Sequence, residues 1–155
     1  MKLTPRKIHL FLLWKLPSAF FTGVRVREIS SSSCVTTVKH RWINQNPFRS
    51  MFWAVQGMAA ELSTGALVMN AIRESGADIS MLVTGNKAEY FKKARGRIDF
   101  DCRQGAEIIS MVEKAKNFGG AETIILISEG RDKVGALVSR FEFEWSLKAR
   151  NKNEG

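Results

Sequence analysis

The sequence predicts one α+β domain in which an antiparallel sheet wraps around a single buried helix. Two observations predict it. The segment from Met51 to Arg73, MFWAVQGMAAELSTGALVMNAIR, is mostly apolar and long enough for about six helical turns. The segments around it are short, and they are apolar or alternate between apolar and polar residues, as strands do. The 155 residues suffice for one core but not for two ordinary domains, so we expect a single domain over 1–155, with 1–20 as a helical extension.

The N-terminal residues predict an amphipathic helix over 4–16. Thr4 is a favourable N-cap, and Pro5 suits the first turn. The basic residues and the apolar run imitate a signal peptide, but Lys15 interrupts the run and no clean small-x-small cleavage site follows. The Lys and Arg content leaves a second interpretation open, a helix anchored at a membrane surface. No stretch is long enough to span a bilayer.

The remaining segments predict strands and one shorter helix. A loop rich in Asn and Pro over 41–50 leads into the long helix, and the shorter helix, over 106–118, ends at Gly119 and Gly120. The last strand is the clearest, because aromatic and aliphatic residues alternate there with charged ones. In chain order we expect strands at 24–30, 35–40, 79–84 with a continuation at 88–91, 98–103, 123–128 and within 133–148.

Glu61 projects away from the other polar side chains of the long helix when each residue is advanced by about 100°. It lies among apolar positions, with Gly57 and Gly65 one turn to either side. A carboxylate there must find a partner, shift its pKa, or face a cavity or a second subunit. The pattern alone leaves a structural Glu and a functional Glu equally open. The polar stripe on the opposite side consists of Gln56, Ser63, Asn70 and Glu74.

Charge and cysteine content limit the possible partners. The net charge of +9 fits affinity for polyanions, including a nucleotide-bearing cofactor. The basic residues are scattered, however, and no zinc-finger or RNA-recognition motif is present, so we expect no nucleic-acid partner. Cys34 and Cys102, together with His9 and His40, lack the spacing of a metal site or a disulfide framework, so we expect no metal and a reducing cytoplasm.

Three pieces of the chain carry a resemblance to a known family. They are the loop 44–50, the helical run MAAEL at 58–62 and the run YFKKARG at 90–96. In order and spacing they resemble hotdog-fold proteins of the PaaI-like acyl-CoA thioesterase superfamily, and most closely the DUF4442 group, over about residues 20–148. The resemblance implies a curved antiparallel sheet around one long central helix, assembled as a homodimer or as a dimer of dimers.

The resemblance also implies hydrolysis of acyl-CoA thioesters in a cleft between two subunits. Glu61 would then act as general base or nucleophile, and the backbone N–H groups of Trp53 and Ala54 would polarise the carbonyl. Asn44 or Asn46 would orient the water or the carbonyl. No separate cofactor is expected, because CoA is part of the substrate.

Four basic residues form the densest positive cluster of the sequence. They would contact the phosphates of CoA, or they would form a solvated turn, and the sequence leaves both interpretations open. The cluster consists of Lys92, Lys93, Arg95 and Arg97.

One departure from the family pattern bears on catalysis. PaaI-like enzymes usually carry His-Gly-Gly at the positions of Phe52, Trp53 and Ala54 here. Losing the glycines crowds the approach to the helix backbone, and losing the His removes a polar group. A non-catalytic hotdog module that binds or senses acyl-CoA is therefore the alternative. Hotdog dehydratase chemistry is less favoured, because it pairs a His with the acid and no His lies near the helix in sequence.

Overall fold

The computed structural model describes residues 3–150, which form helices and strands in the α+β arrangement expected. A 3-10 turn, Trp42–Asn44, lies in the loop before the long helix. The helices are α1 (Pro5–Lys15), α2 (Pro17–Phe21), α3 (Trp53–Ser75) and α4 (Gly105–Phe118). The strands are β1 (Arg25–Ile29), β2 (Cys34–Lys39), β3 (Ile79–Tyr90), β4 (Arg97–Cys102), β5 (Ala121–Asp132) and β6 (Leu137–Ala149).

The strands form one curved sheet in the order β1-β2-β4-β5-β6-β3, and every neighbouring pair is antiparallel. Strand β3 follows α3 in the chain but lies at the edge of the sheet beside β6, and β1 lies at the opposite edge. The sheet wraps around α3, and α4 packs against α3 as well. The predicted fold class, a sheet around one central helix with an N-terminal helix and a shorter second helix, is confirmed.

The polar stripe of α3 is turned toward the protein interior. Gln56, Ser63 and Asn70 are all buried, whereas Glu74, the fourth residue of the predicted stripe, is exposed near the end of the helix. The hydroxyl of Ser63 lies 2.7 Å from that of Ser128 on β5, and the Ser139 hydroxyl on β6 donates to Gln56 Oε1 at 2.9 Å. Buried polar groups of this kind fix a helix against its sheet when each has a partner. Glu61, on another side of α3, is partly buried.

Several element boundaries differ from the predicted ones for local reasons. The segments predicted at 79–84 and 88–91 are a single strand, β3. A shift of register between Val83 and Gly85 allows the strand to continue through Gly85 and Asn86, which are residue types common in turns. The long helix begins at Trp53 rather than Met51, because Met51 pairs with Gln45 in an isolated bridge. The short helix α2 was not predicted.

Helix α1 begins where the sequence predicts. The Lys7 N–H donates to the Thr4 hydroxyl at 3.4 Å, as an N-cap requires. Ile8 and Leu12 are buried, and the Val26 N–H on β1 donates to His9 Nε2 at 3.1 Å, which ties the helix to the sheet. Within residues 3–150, each helix is too short or too polar to reach across a bilayer.

Candidate functional site

Glu61 lies midway between two glycines on the face of α3 that packs over β6. A Cβ atom at Gly57 would contact the Phe141 ring at 3.7 Å, and one at Gly65 would lie 3.1 Å from two carbons of the Trp145 indole. Residues four apart on a helix share a face, so Glu61 sits between these two contacts, above the aromatic side of β6. The glycines bring the helix close to the strand and leave room beside the carboxylate.

The Glu61 carboxylate has an unusual environment for a charged group. The residue is partly buried, and within residues 3–150 its carboxylate oxygens receive no hydrogen bond and form no ion pair. Desolvation by the surrounding apolar side chains raises the pKa of Glu61 above its ordinary value. Its Oε1 would lie 3.2 Å from a Cβ at Gly65, so the carboxylate is folded toward the C-terminal half of the helix. A polarised, weakly solvated carboxylate is suited to accept a proton or to attack an electrophile.

The N-terminus of α3 offers unpaired backbone donors. Phe52 is the N-cap and provides no side-chain cap, and its carbonyl accepts from the N–H groups of Val55 and Gln56 at 3.0 and 3.3 Å. The N–H groups of Trp53 and Ala54 have no acceptor within residues 3–150. Since the helix dipole adds a partial positive charge here, these two N–H groups can polarise a carbonyl oxygen.

Asn44 is buried, and its side chain is used inside the protein. Its Nδ2 donates to the carbonyls of Thr22 and Lys39, both at 2.9 Å, and its Oδ1 accepts from the Arg41 N–H at 2.8 Å. Its own carbonyl accepts from the Phe52 N–H at 2.8 Å. These bonds hold the start of α3 against the preceding loop, so the geometry gives Asn44 a structural role.

Asn46 shapes the next turn of the same loop. Its Oδ1 accepts from the N–H groups of Phe48 and Ser50 at 2.9 and 3.2 Å, and its Nδ2 donates to the Ser50 hydroxyl at 3.0 Å. The turn also holds Arg49 at a φ of 57°, a left-handed conformation that is uncommon for residues other than glycine. Unlike Asn44, Asn46 is only partly buried, and it reaches the surface of a groove.

That groove, of about 330 Å³, opens beside the N-terminus of α3. Asn46 and Trp53 lie on one side, and the segment after β3, with Lys92 and Lys93, lies on the other. The structure thus brings together residues that the sequence suggested separately. The full lining is Asn46, Ser50, Met51, Trp53, Gln56, Tyr90, Phe91, Lys92, Lys93 and Ala94.

The basic cluster continues from this groove into a neighbouring depression of about 320 Å³. Lys92 is paired with Asp132 at 2.7 Å, and this hydrogen bond lowers the pKa of the Asp132 carboxyl. Arg95 donates through Nε to the Arg49 carbonyl at 3.2 Å. Lys93 is exposed and forms no ion pair within residues 3–150, so it is available to an anion. Arg97 is exposed at the start of β4.

Two features of the site were missed by the sequence interpretation. Trp145 lies on the last strand, and its position against Gly65 depends on how β6 packs under α3, which the alternation of the strand does not show. Tyr90 and Phe91, which line the groove, were assigned to a strand and to the run that carries the family resemblance, but not to a binding site. The spacing of Gly57 and Gly65 was the one signal of a close helix–strand contact.

The cysteines are buried and free, and they face each other across β2 and β4. Cys34 and Cys102 are paired in the strand register. Burial raises the pKa of Cys34 to about 12 and that of Cys102 to about 11. Both thiols therefore stay protonated at neutral pH, which removes them from the nucleophile candidates. Within residues 3–150, no cluster of three or more His, Cys, Asp and Glu side chains suits a metal ion.

Comparison with known proteins agrees with this architecture. The model of the family DUF4442, described as a domain of unknown function, matches residues 6–147. The chain belongs to the DUF4442 family. Among proteins with curated functions, none matches the sequence.

Solved structures similar to this DUF4442 protein share its hotdog fold at low sequence identity. A Pseudomonas aeruginosa protein of unknown function, described as a probable thioesterase, has a TM-score of 0.81 and 19% identity, with 96% of this chain and 99% of that chain covered. A Haemophilus influenzae thioesterase has a TM-score of 0.76 and 11% identity, with 100% and 97% covered. A mutant thioesterase from Pseudomonas aeruginosa has a TM-score of 0.75 and 10% identity, with 97% of each chain covered. At these identities the likeness establishes the fold.

Proposed function

We propose that this protein hydrolyses thioesters, with acyl-CoA as the substrate class. The observation that carries the proposal is the Glu61 carboxylate, which is desolvated, has no partner within residues 3–150 and lies between two glycines on the face of the central helix that packs over β6. A structural carboxylate in such a place would be expected to hold an ion pair or several hydrogen bonds. The names of the structural neighbours, which are called thioesterases, support the same chemistry.

Glu61 acts as general base or as nucleophile in this proposal. As a base it takes a proton from water while the water oxygen attacks the thioester carbonyl carbon, and a tetrahedral oxyanion forms. Collapse of that intermediate breaks the C–S bond, and the departing thiolate takes the proton back from Glu61. The products are a carboxylic acid and free CoA thiol. As a nucleophile, Glu61 would attack the carbonyl carbon, break the C–S bond and release the CoA thiolate, leaving a mixed anhydride on Glu61. Water would then cleave the anhydride to the carboxylic acid and the free Glu61 carboxylate, and the proton released from that water would end on the thiolate.

The N–H groups of Trp53 and Ala54 stabilise the oxyanion. Eight residues separate Trp53 from Glu61, a rise of about 12 Å along the helix. The carboxylate is folded toward Gly65, farther from the N-terminus. Oxyanion donors must lie about 3 Å from the carbonyl oxygen, and the attacking atom about 3 Å from the carbonyl carbon. The two groups of one chain are too far apart for this, so we place the site between Glu61 of one subunit and the α3 N-terminus of a second copy.

The basic cluster binds the phosphates of CoA. Lys93 is suited to contact a phosphate because it is exposed, forms no ion pair within residues 3–150 and lines the groove that reaches Trp53. Arg95 and Lys92 line the adjoining depression and add positive potential, although Asp132 offsets part of the charge of Lys92. Arg97, the first residue of β4, lies two residues after Arg95 and adds to the same positive potential. In this arrangement Asn46 holds the groove wall and is the asparagine able to reach substrate.

A non-catalytic acyl-CoA binder is the second candidate, and one observation favours it. The rings of Phe52 and Trp53 pack edge to face, with centroids 5.7 Å apart, at the start of α3. The Trp53 side chain is 61% exposed and lines the groove. These two large rings can hold an acyl or pantetheine chain, but they hinder the close approach of a thioester carbonyl to the backbone N–H groups at the start of α3.

Release of free thiol from a panel of acyl-CoA esters of increasing chain length tests the proposal. Turnover that disappears in Glu61→Gln supports the enzyme. Saturable binding of the same esters by calorimetry, with no turnover, supports the binding module. Neither turnover nor binding across the panel would overturn both. In active protein, a single turnover in ¹⁸O-labelled water can identify the nucleophilic role, because ¹⁸O enters the Glu61 carboxylate only when an anhydride forms and water cleaves it at the Glu61 carbonyl carbon.

A further inference from the structure

The outer side of α1 exposes large apolar side chains although the helix is well anchored. Trp14 is 80% exposed and Leu10 56%, whereas Ile8 and Leu12 are almost completely buried. The buried side chains therefore hold α1 against the domain, and the opposite side of the helix remains exposed in a fixed orientation. Phe21, 63% exposed at the end of α2, adds a further aromatic ring to the N-terminal region.

Phe11 and Lys15 are exposed to one side of α1, and the other exposed residues of the helix share one face. With each residue advanced by about 100°, they span an arc of about 120°, centred opposite Ile8 and Leu12. All of them are exposed, Leu10 and Trp14 lie between Arg6 and Lys7, and Leu13 lies beside Arg6. The outer face of α1 consists of Arg6, Lys7, Leu10, Leu13 and Trp14.

The charge of this region is of one sign. Residues 3–27 contain five basic side chains and no Asp or Glu. The first carboxylate in the chain is that of Glu28, and it lies 3.3 Å from the Arg27 guanidinium. A second copy of the chain that docked by the same face would bring like charges together. A negatively charged surface, by contrast, would be attracted to the cations and would cover the apolar side chains.

We propose that the outer face of α1 docks on an anionic lipid bilayer. Leu10, Leu13 and Trp14 enter the boundary between headgroups and acyl chains, where tryptophan is favoured, and Arg6 and Lys7 contact lipid phosphates. The eleven residues of α1 span about 16 Å, so the helix lies in the plane of the membrane. The proposal does not depend on what Glu61 does, since it rests on a different surface of the molecule.

Vesicle flotation with the full-length protein tests the proposal. The vesicles are phosphatidylcholine alone, or phosphatidylcholine mixed with phosphatidylglycerol. Arg6→Glu with Lys7→Glu removes the positive charge, and Leu10→Ala with Trp14→Ala removes the apolar contact. Lys114→Glu with Lys116→Glu is the charge-matched control on α4, and Phe118→Ala, at a residue 77% exposed, is the apolar control. All these residues are exposed, so the variants should fold.

We expect the wild type to float with anionic vesicles and hardly at all with zwitterionic ones. The fraction that floats with anionic vesicles should fall as the salt concentration rises. Both α1 variants should bind at least about tenfold more weakly, while the two control variants bind as the wild type does. Absence of flotation with anionic vesicles would overturn the proposal. So would an equal loss in Lys114→Glu with Lys116→Glu, which would assign the effect to net charge. If Leu10→Ala with Trp14→Ala lowered the oligomer mass and left flotation unchanged, the face would be a protein–protein contact instead.

Discussion

Trp145 packs so closely against Gly65 that a methyl group on the glycine would lie 3.1 Å from two carbons of the indole ring. The ring is held in place, because its Nε1 donates to the Thr64 hydroxyl at 3.0 Å. The same added methyl would lie 3.2 Å from Glu61 Oε1. Gly65 thus lets the carboxylate fold back along the helix beside the ring, and Trp145 and Gly65 together position the proposed catalytic group.

Gly65→Ala should reduce thioester hydrolysis by about tenfold or more, because the methyl group must displace either the fixed indole or the carboxylate. Gly57→Ala is the matched control. Gly57 lies one helical turn before Glu61, and the added methyl group would lie 3.7 Å from the Phe141 ring, an ordinary van der Waals distance. Gly57→Ala should keep activity and raise the free energy of unfolding by up to about 1 kcal/mol through helix propensity. Steady-state kinetics and urea unfolding of both variants measure this, and equal activities would show that Gly65 does not position Glu61.

The sequence predicted the long helix, the sheet and the position of Glu61 because these depend on local periodicity. The apolar length of α3 and the alternation in β6 are visible in the chain itself. The strand boundaries near Gly85 were less clear, because a bulge inside a strand and a turn between two strands use the same residue types.

The site was predictable only in part, because its geometry depends on contacts distant in sequence. The sequence suggested equal roles for Asn44 and Asn46, and only the fold separates them, since Asn44 is bound to Thr22 and Lys39. No local pattern could place Cys34 opposite Cys102, because that depends on the register of β2 with β4. The approach of Trp145 to Gly65 is likewise a matter of strand register.

Lys93→Glu with Arg95→Glu should weaken acyl-CoA binding by about tenfold and make it less sensitive to salt, since phosphate contacts are screened by ions. Lys93→Glu alone should produce most of the loss, because Arg95 is also engaged with the Arg49 carbonyl. Calorimetric titration at two or more salt concentrations provides the measurement. Lys114→Glu with Lys116→Glu, the same charge change on α4, should bind as the wild type does. Similar affinities for all variants would indicate that the cluster is a solvated turn.

The protein should form a dimer or a dimer of dimers in solution, with a mass two or four times the 17.4 kDa of the chain. Strand β3, twelve residues long, lies at the edge of the sheet, and exposed edges of that length pair readily with another strand. Light scattering at micromolar concentration measures the mass. Leu82→Lys, at a β3 residue 65% exposed, should lower it, whereas Val134→Lys, at a residue 78% exposed beyond β5, should not. A monomeric wild type would count against a site shared by two subunits.

The two cysteine thiols should be unreactive in the folded protein. Burial raises the pKa of Cys34 to about 12 and that of Cys102 to about 11, so the reactive thiolate is scarce at neutral pH and reagents cannot reach it. Titration with a chromogenic disulfide should detect two thiols per chain only after denaturation in guanidinium. Rapid reaction of the native protein would mean that β2 and β4 separate readily.

Glu61→Gln should abolish hydrolysis without lowering stability at neutral pH. The amide keeps the shape of the side chain but can neither accept a proton nor attack as a carboxylate. Since the pKa of Glu61 is raised in the folded protein, the native state binds this proton more tightly than the unfolded state does. The wild type should therefore lose stability as pH rises from the ordinary glutamate pKa through the raised one, and Glu61→Gln should not show that loss.

The same titration should appear in the kinetics. Hydrolysis by the wild type should increase with pH as Glu61 loses its proton, with a midpoint above that of an ordinary glutamate. Melting temperatures and rates of both proteins across pH 4–8 give the two readouts together. Gln56→Glu is not a suitable control, because Gln56 is buried and bound to Ser139, so Glu74→Gln on the exposed end of α3 is used instead. A large fall in stability in Glu61→Gln, or hydrolysis that persists in it, would remove Glu61 from the active site and give it a structural role.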